Sequence, residues 1–123
     1  MNTSASSNPL GRASGLTVGD IVLVAYPYSD GSASKQRPAL VLATLDAYGD
    51  ALLMGITTKA DAKNTLALGD SDFSQGRLPR TSWLKSASVT AVHHSRIIKV
   101  IAKVKPLVLS AARSQICPRL GCQ

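Results

Sequence analysis

The chain has 123 residues, of which 45% are hydrophobic, 17% are charged and only 4% are aromatic. This composition suits one compact domain with an aliphatic core and excludes wholesale disorder. Fourteen Lys and Arg against seven acidic residues give a net charge of +7, which attracts nucleic acid, a membrane surface or an acidic protein segment. Because no apolar run approaches the roughly 20 residues of a membrane span and the N-terminus lacks a signal-peptide pattern, we expect a cytoplasmic protein that does not bind membranes.

The first half of the chain carries three strand patterns. A β-branched and aliphatic run predicts a strand at about 20–26, followed by a polar loop at 28–36. Continuous apolar runs at 38–44 and 51–57 predict two strands with both faces covered. The short turn between these two strands favours an antiparallel hairpin.

The second half is more polar, and its strands are shorter. Residues 58–80 are predicted to be mostly loop, with one weak strand pattern at 65–68. Two further strands are predicted near 82–86 and 88–92, and a third around 97–104. Five or six short strands indicate a small barrel.

The C-terminal segment predicts one helix. Lys105 and Pro106 open it, since Pro is tolerated in a first helical turn. Apolar residues then recur at intervals of three or four, at Leu109, Ala112, Ile116 and Leu120. Pro118 cannot donate a helical hydrogen bond, so we expect the helix to fray or stop near Cys117. The small polar residues 1–16 predict a flexible tail before a single domain at 17–123.

The sequence offers few of the patterns that mark catalytic or metal sites. It contains no nucleophile elbow, no phosphate-binding glycine loop and no zinc spacing. Cys117 and Cys122 are too few for a disulfide framework or a zinc knuckle. His93 and His94 are adjacent, so on a strand they would face opposite sides. We therefore expect no metal site and no cofactor.

Arg37 is the most informative charged residue. It lies between the polar loop and a buried strand, and Pro38 holds its backbone extended. A guanidinium at such an edge could grip a phosphate with two hydrogen bonds, or could equally pair with Asp20 or Asp30. Hydroxyl groups at the end of the third strand, Thr57 and Thr58, could bind a phosphate or cap the following turn.

The chain resembles a known family. The segment from Gly19 to Asp30, the strand Arg37-Pro-Ala-Leu-Val-Leu and the strand end Ile56-Thr-Thr resemble the MazF/PemK toxin endoribonucleases in order and spacing. Later segments that resemble the same family are Leu78–Ser82, Lys85 and Ser95-Arg96. The resemblance covers residues 17–120. It implies a mainly β (α+β) fold, namely an SH3-like small barrel of five to seven strands with a C-terminal helix.

The resemblance also implies a function. Such proteins cleave single-stranded RNA without a metal, are usually homodimers and are silenced by an acidic antitoxin protein. By position, Arg37 would contact the phosphate and Thr57 would supply the strand-end hydroxyl. Side chains expected to line the RNA groove are Tyr28, Lys35, Thr58, Lys59, Arg77, Arg80, Ser82 and Lys85. The chain departs from the family at Ala87, where some members carry an acidic residue, and at Thr90, where members frequently carry an arginine.

Metal-free cleavage needs a base for the 2′-OH, a cation for the phosphorane and an acid for the 5′-oxygen. Arg37 supplies the cation. Asp30 is the acidic candidate within the matched segment, because residues 77–123 carry nine basic residues and no acid; it could instead be a turn residue. Two alternatives stay open: a barrel without catalysis that binds RNA or antitoxin, and a toxin of the same fold that poisons DNA gyrase.

Overall fold

The computed structural model describes residues 15–27, 34–45, 49–59 and 65–121. Its elements are seven strands and one α-helix: β1 (Asp20–Pro27), β2 (Ser34–Leu45), β3 (Asp50–Thr57), β4 (Thr65–Leu68), β5 (Phe73–Gly76), β6 (Ser82–His93), β7 (Ile97–Val104) and α1 (Pro106–Leu120). The strands form one sheet in the order β4-β6-β3-β2-β1-β7-β5, and every pair is antiparallel. The sheet curls into a half-barrel, which confirms the predicted mainly β architecture with a C-terminal helix.

The central strands are buried on both faces, as their continuous apolar runs predict. On β2, Leu40 and Leu42 belong to one core cluster, whereas Ala39 and Val41 belong to the other. The first cluster includes the buried face of α1, at Leu109, Ala112 and Ile116. Because successive side chains alternate between faces, a slip of one residue in the strand pairing would exchange the two clusters. The apolar pattern therefore fixes the register.

Several element boundaries differ from the predictions. β2 begins at Ser34, so residues 34–36 are strand rather than loop. The two strands predicted near 82–86 and 88–92 are one strand, β6, with an irregular register between Leu84 and Val89 where it faces β3. The short strand β5 was not predicted, because its sequence, Phe-Ser-Gln-Gly, lacks apolar alternation. Pairing with β7 holds these residues in the strand conformation.

The helix also differs from its prediction. It continues through Pro118 and ends at Leu120, where Gly121 adopts a left-handed backbone with φ of 81°. Pro118 lies in the last turn, where few backbone bonds depend on it, so the helix does not stop near Cys117. Leu120, the last residue of the apolar spacing that predicted the helix, is 70% exposed. Cys117 is disulfide-bonded.

Residues at the N-terminal edge extend the domain. Residues 1–14 of the predicted tail lie outside the described residues, whereas Leu16 is buried in the second core cluster. Asp20 accepts hydrogen bonds from the Thr17 backbone at 2.8 Å and its hydroxyl at 3.2 Å, and it forms an ion pair with Lys103 at 3.3 Å. These bonds tie the start of β1 to β7. Within the described ranges, no helix is long and apolar enough to cross a membrane.

We predict that Arg113 is the main polar anchor of α1 on the sheet. Its Nε and Nη2 both donate to the Leu42 carbonyl, at 3.2 and 2.7 Å, beside the register shift between Val41 and Ala43. Arg113→Ala leaves this carbonyl without its donors, so the free energy of unfolding should fall by about 1–3 kcal/mol. Urea denaturation measures the change. Gln115→Ala, an exposed position on the same helix, is the control, and an equal loss in both variants would contradict the role of Arg113.

Candidate functional site

Arg37 and Thr57 meet because of the register of β2 and β3. The two strands run antiparallel and pair Ala39 with Gly55. Arg37 lies two positions before Ala39, and Thr57 lies two positions after Gly55, so both occupy the same end of the hairpin. Period-two alternation also places them on the same sheet face. Residues twenty positions apart in sequence are thereby brought side by side.

The third wall of the site is the beginning of β6. Its pairing with β3 places Trp83 opposite Thr57 and Leu84 opposite Ile56. At the first residue of β6, the Ser82 hydroxyl donates to the carbonyl of Arg80 at 2.8 Å. Ser82 is buried, so this bond fixes the turn that brings the exposed Arg80 to the same place.

These strand ends enclose a groove of about 520 Å³, which we call the main groove. It is lined by Lys35, Gln36, Arg37, Pro38, Ile56, Thr57, Thr58, Lys59, Arg80 and Ser82. Four of the side chains are cationic, and no Asp, Glu or His is among the described lining residues. Cations grouped in a concave surface reinforce one another's field. The main groove is therefore suited to a polyanion.

Arg37 is exposed at the main groove. The carboxylate of Asp20, one of the two partners considered from the sequence, is bonded to Thr17 and Lys103 instead. In the described part of the chain, no ion pair engages Arg37. The other considered partner, Asp30, lies outside the described residues, as does Tyr28. The described structure thus leaves the guanidinium facing solvent and the groove.

Thr57 has a defined local role. Its hydroxyl oxygen accepts a hydrogen bond from the backbone N–H of Lys59 at 3.1 Å. This is the turn-capping interaction considered from the sequence, and it holds the turn that carries Thr58 and Lys59. A hydroxyl that accepts a bond still has its own proton to donate. Thr57 can therefore cap the turn and bind an anion at the same time.

A second groove adjoins the first. It has a volume of about 370 Å³ and is lined by Leu68, Gly69, Asp70, Phe73, Arg77, Leu78, Pro79, Arg80 and Thr81. Because Arg80 lines both grooves, they are neighbours on one surface. We call this one the flanking groove. Arg77 lines the flanking groove, whereas the sequence predicted it in one RNA groove with Lys35, Lys59 and Arg80.

Lys85 is the described candidate that lines neither groove. It faces Thr65 across the β4–β6 pair and lies where β6 begins its irregular stretch. Gln36 and Asp70 are among the lining residues that were not predicted. Gln36 was assigned to a loop, although it directly precedes Arg37 on β2, and Asp70 lay in a segment with no pattern to connect it to the site. The described residues contain no group of three or more His, Cys, Asp or Glu that could hold a metal.

Comparison with known proteins identifies the family. The family model described as "PemK-like, MazF-like toxin of type II toxin-antitoxin system" matches residues 17–119. The chain belongs to this toxin family. No curated protein matches the toxin in sequence.

Solved structures share the fold of the toxin at low sequence identity. A MazE-MazF complex from Deinococcus radiodurans has a TM-score of 0.71 and 19% identity, over 88% of this chain and 98% of that chain. An endoribonuclease in complex with its cognate antitoxin, from a mycobacterial species, has a TM-score of 0.67 and 16% identity, over 88% and 97%. Mycobacterium tuberculosis toxin MazF-mt6 has a TM-score of 0.62 and 14% identity, over 85% and 98%.

We predict that the Thr57 hydroxyl orders the turn of the toxin that carries Lys59. Thr57→Val removes the acceptor for the Lys59 N–H, so the backbone amide of Lys59 should exchange with solvent about 5-fold faster, in line with the loss of one hydrogen bond. Amide exchange followed by NMR measures the rate. Thr57→Ser keeps the acceptor and should leave the rate within 2-fold. Equal exchange in all three proteins would show that the bond does not hold the turn.

Proposed function

We propose that this toxin is an endoribonuclease that cleaves single-stranded RNA in the cytoplasm without a metal ion. The observation that carries the proposal is the meeting of Arg37 with Thr57 in a groove that also presents Lys35, Lys59 and Arg80. Single-stranded RNA is a polyanion whose backbone follows such grooves. The similar structure of a mycobacterial endoribonuclease supports the same activity.

Arg37 would bind the phosphate that is cleaved. Its planar guanidinium can donate two parallel hydrogen bonds to the non-bridging oxygens. Negative charge grows on these oxygens as the 2′-OH attacks phosphorus, so a fixed cation stabilises the phosphorane more than the ground state. Arg37 is exposed, and its backbone pairs with Val24 of β1 within the sheet, so the strand holds this cation at a fixed position.

Thr57 would orient the same phosphate. The Lys59 N–H fixes its hydroxyl from one side, and the hydroxyl proton is available for a phosphate oxygen. A phosphate held between Arg37 and Thr57 has restricted rotation, which helps to align the 2′-oxygen with the 5′-leaving oxygen. Alignment of this kind lowers the barrier by several kcal/mol in general.

Proton transfer requires two further groups. We propose Asp30 as the base that accepts the 2′-OH proton, because the described lining of the main groove provides neither a carboxylate nor an imidazole. Lys35 and Lys59 both line this groove, and an ammonium group can donate a proton to the departing 5′-oxygen. The products would be a 2′,3′-cyclic phosphate and a 5′-hydroxyl.

We further propose that the toxin forms a homodimer and is inhibited by an acidic antitoxin segment that covers the cationic main groove. The charge of the groove is complementary to such a segment. The similar structures that contain MazE, or a cognate antitoxin, support a partner of this kind. The antitoxin and RNA would then compete for the same cations.

We predict that the purified toxin cleaves a long RNA in the presence of EDTA and that Arg37→Ala reduces the rate by at least about 100-fold, since one fixed transition-state donor contributes roughly that much. Gel electrophoresis of the RNA measures the rate, and circular dichroism checks the fold. Arg96→Ala, at an exposed cation outside the two grooves, is the control and should cleave like wild type. Asp30→Asn should lose activity without losing affinity for RNA.

The outcomes separate the candidate functions. Intact RNA with wild type and with Arg37→Ala, while both bind RNA or antitoxin, would favour a barrel without catalysis. Intact RNA together with inhibition of DNA gyrase would favour the gyrase poison. Cleavage that EDTA abolishes would contradict metal independence.

We also predict that the affinity for RNA depends steeply on salt. Each phosphate that the protein contacts releases counterions and contributes about −0.7 to the slope of log K against log salt for a single strand. Arg80→Gln should therefore make the slope less negative by about 0.7, measured by fluorescence anisotropy with 2′-O-methyl RNA, which lacks the attacking hydroxyl. Arg96→Gln should leave it unchanged. A slope near zero for wild type would refute binding through phosphates.

A further inference from the structure

The flanking groove differs from the main groove in its chemistry. Its described floor is apolar, with Leu68 and Leu78 buried and the Phe73 ring half-buried against the core. Its lining also carries one carboxylate, that of Asp70, together with two arginines, Arg77 and Arg80. A groove for the RNA backbone alone needs neither the apolar floor nor the carboxylate. Both are what a nucleobase needs, since its faces are apolar and its edge forms hydrogen bonds.

Asp70 lies in a turn that hydrogen bonds of its neighbour Asp72 hold in place. The turn that carries it is closed by Asp72, whose carboxylate accepts from the Gly69 N–H at 2.7 Å, and the Asp72 carbonyl accepts from the Lys105 N–H at 2.9 Å. Asp72 is therefore a structural residue. The Asp70 carboxylate, by contrast, has no hydrogen bond or ion pair within the described segments and is exposed at the groove.

A carboxylate distinguishes the bases by their donors. Guanine presents two parallel donors on its Watson–Crick edge, the N1–H and the 2-amino group, which match the two carboxylate oxygens. Cytosine and adenine offer an amino group beside a ring nitrogen that repels the carboxylate. Uracil offers one N–H between two carbonyl oxygens, which also repel it. An ionised carboxylate therefore selects guanine among the four bases.

We propose that the flanking groove binds a guanine base next to the cleaved linkage and that Asp70 is the residue that recognises it. The inference rests on the proposed ribonuclease function. Arg80, which lines both grooves, would contact the phosphate that connects this nucleotide to the one in the main groove. Phe73 and the two leucines would pack against the base. Asp70 thus determines sequence specificity and takes no part in proton transfer.

Mapping of the cleavage sites tests the proposal. The 5′ ends that wild-type toxin produces in a long RNA should show guanine at one fixed position relative to the cut. A short RNA with this site is then compared with one in which inosine, which lacks the 2-amino group, replaces that guanosine. Wild type should bind and cleave the inosine RNA at least about 5-fold less well, because a matched hydrogen-bonding pair contributes that much to discrimination.

Variants separate recognition from charge. Asp70→Asn removes a negative charge, which raises the affinity for every RNA equally, so the informative quantity is the ratio of guanosine RNA to inosine RNA. This ratio should fall to within 2-fold of unity in Asp70→Asn. It should stay at the wild-type value in Asp50→Asn, a carboxylate at the far end of β3, about 23 Å from Thr57 at 3.3 Å per residue. Arg77→Gln should lower the affinity for both RNAs and keep the ratio.

The outcomes also separate this inference from the proposed function. Cleavage of RNA by wild type with no fixed guanine, or an equal ratio in wild type and Asp70→Asn, would refute the role of Asp70 and leave the ribonuclease intact. Absence of both RNA binding and cleavage by wild type would overturn the two together. A preference for cytosine or adenine that Asp70→Asn removes would show that the groove reads an amino group, and would refute guanine as its ligand.

Discussion

The antiparallel register of β2 and β3 is the constraint on which the site depends. Apolar residues fill both faces of these strands, so Leu40 and Ala39 belong to different cores. A shift of one residue would turn each apolar set toward the wrong cluster and would place Arg37 on the face opposite Thr57. The same burial that stabilises the half-barrel therefore holds a guanidinium beside a hydroxyl. The packing of the interior thus sets the positions of Arg37 and Thr57 in the main groove.

The distribution of charge follows a similar logic. Two of the aspartates are used by the fold: Asp20 bonds to Thr17 and Lys103, and Asp72 closes the turn at Gly69. The cations Lys35, Lys59 and Arg80 line the main groove, where the described lining holds no acid to neutralise them. The fold thus uses these two acids in structural bonds, and the basic side chains of the main groove remain available to a polyanion. A net charge of +7 alone would not produce this arrangement.

Much of the fold followed from local patterns. The apolar runs predicted β1, β2, β3 and β7 within a few residues, and the helical spacing from Leu109 to Ile116 predicted α1. Arg37 and Thr57 were singled out as candidates because each lies at the edge of a strong strand pattern, next to Pro38 or a polar turn. The sequence patterns did not predict the features that depend on tertiary or end-of-helix contacts. β5 is held by its pairing with β7, and Pro118 is tolerated because it lies in a final helical turn that Gly121 closes.

The sequence by itself determined the mainly β composition, the terminal helix, the basic second half and the residues that resemble a toxin family, because these depend on periodicity and residue type within short windows. Only the tertiary structure decided which candidates meet. Arg37 joins Thr57 and Arg80, Arg77 lies with Asp70 in the flanking groove, and Lys85 lies apart from both. Positions distant along the chain become neighbours through strand pairing and the curl of the sheet, and a local pattern carries no information about which strand ends will share one edge.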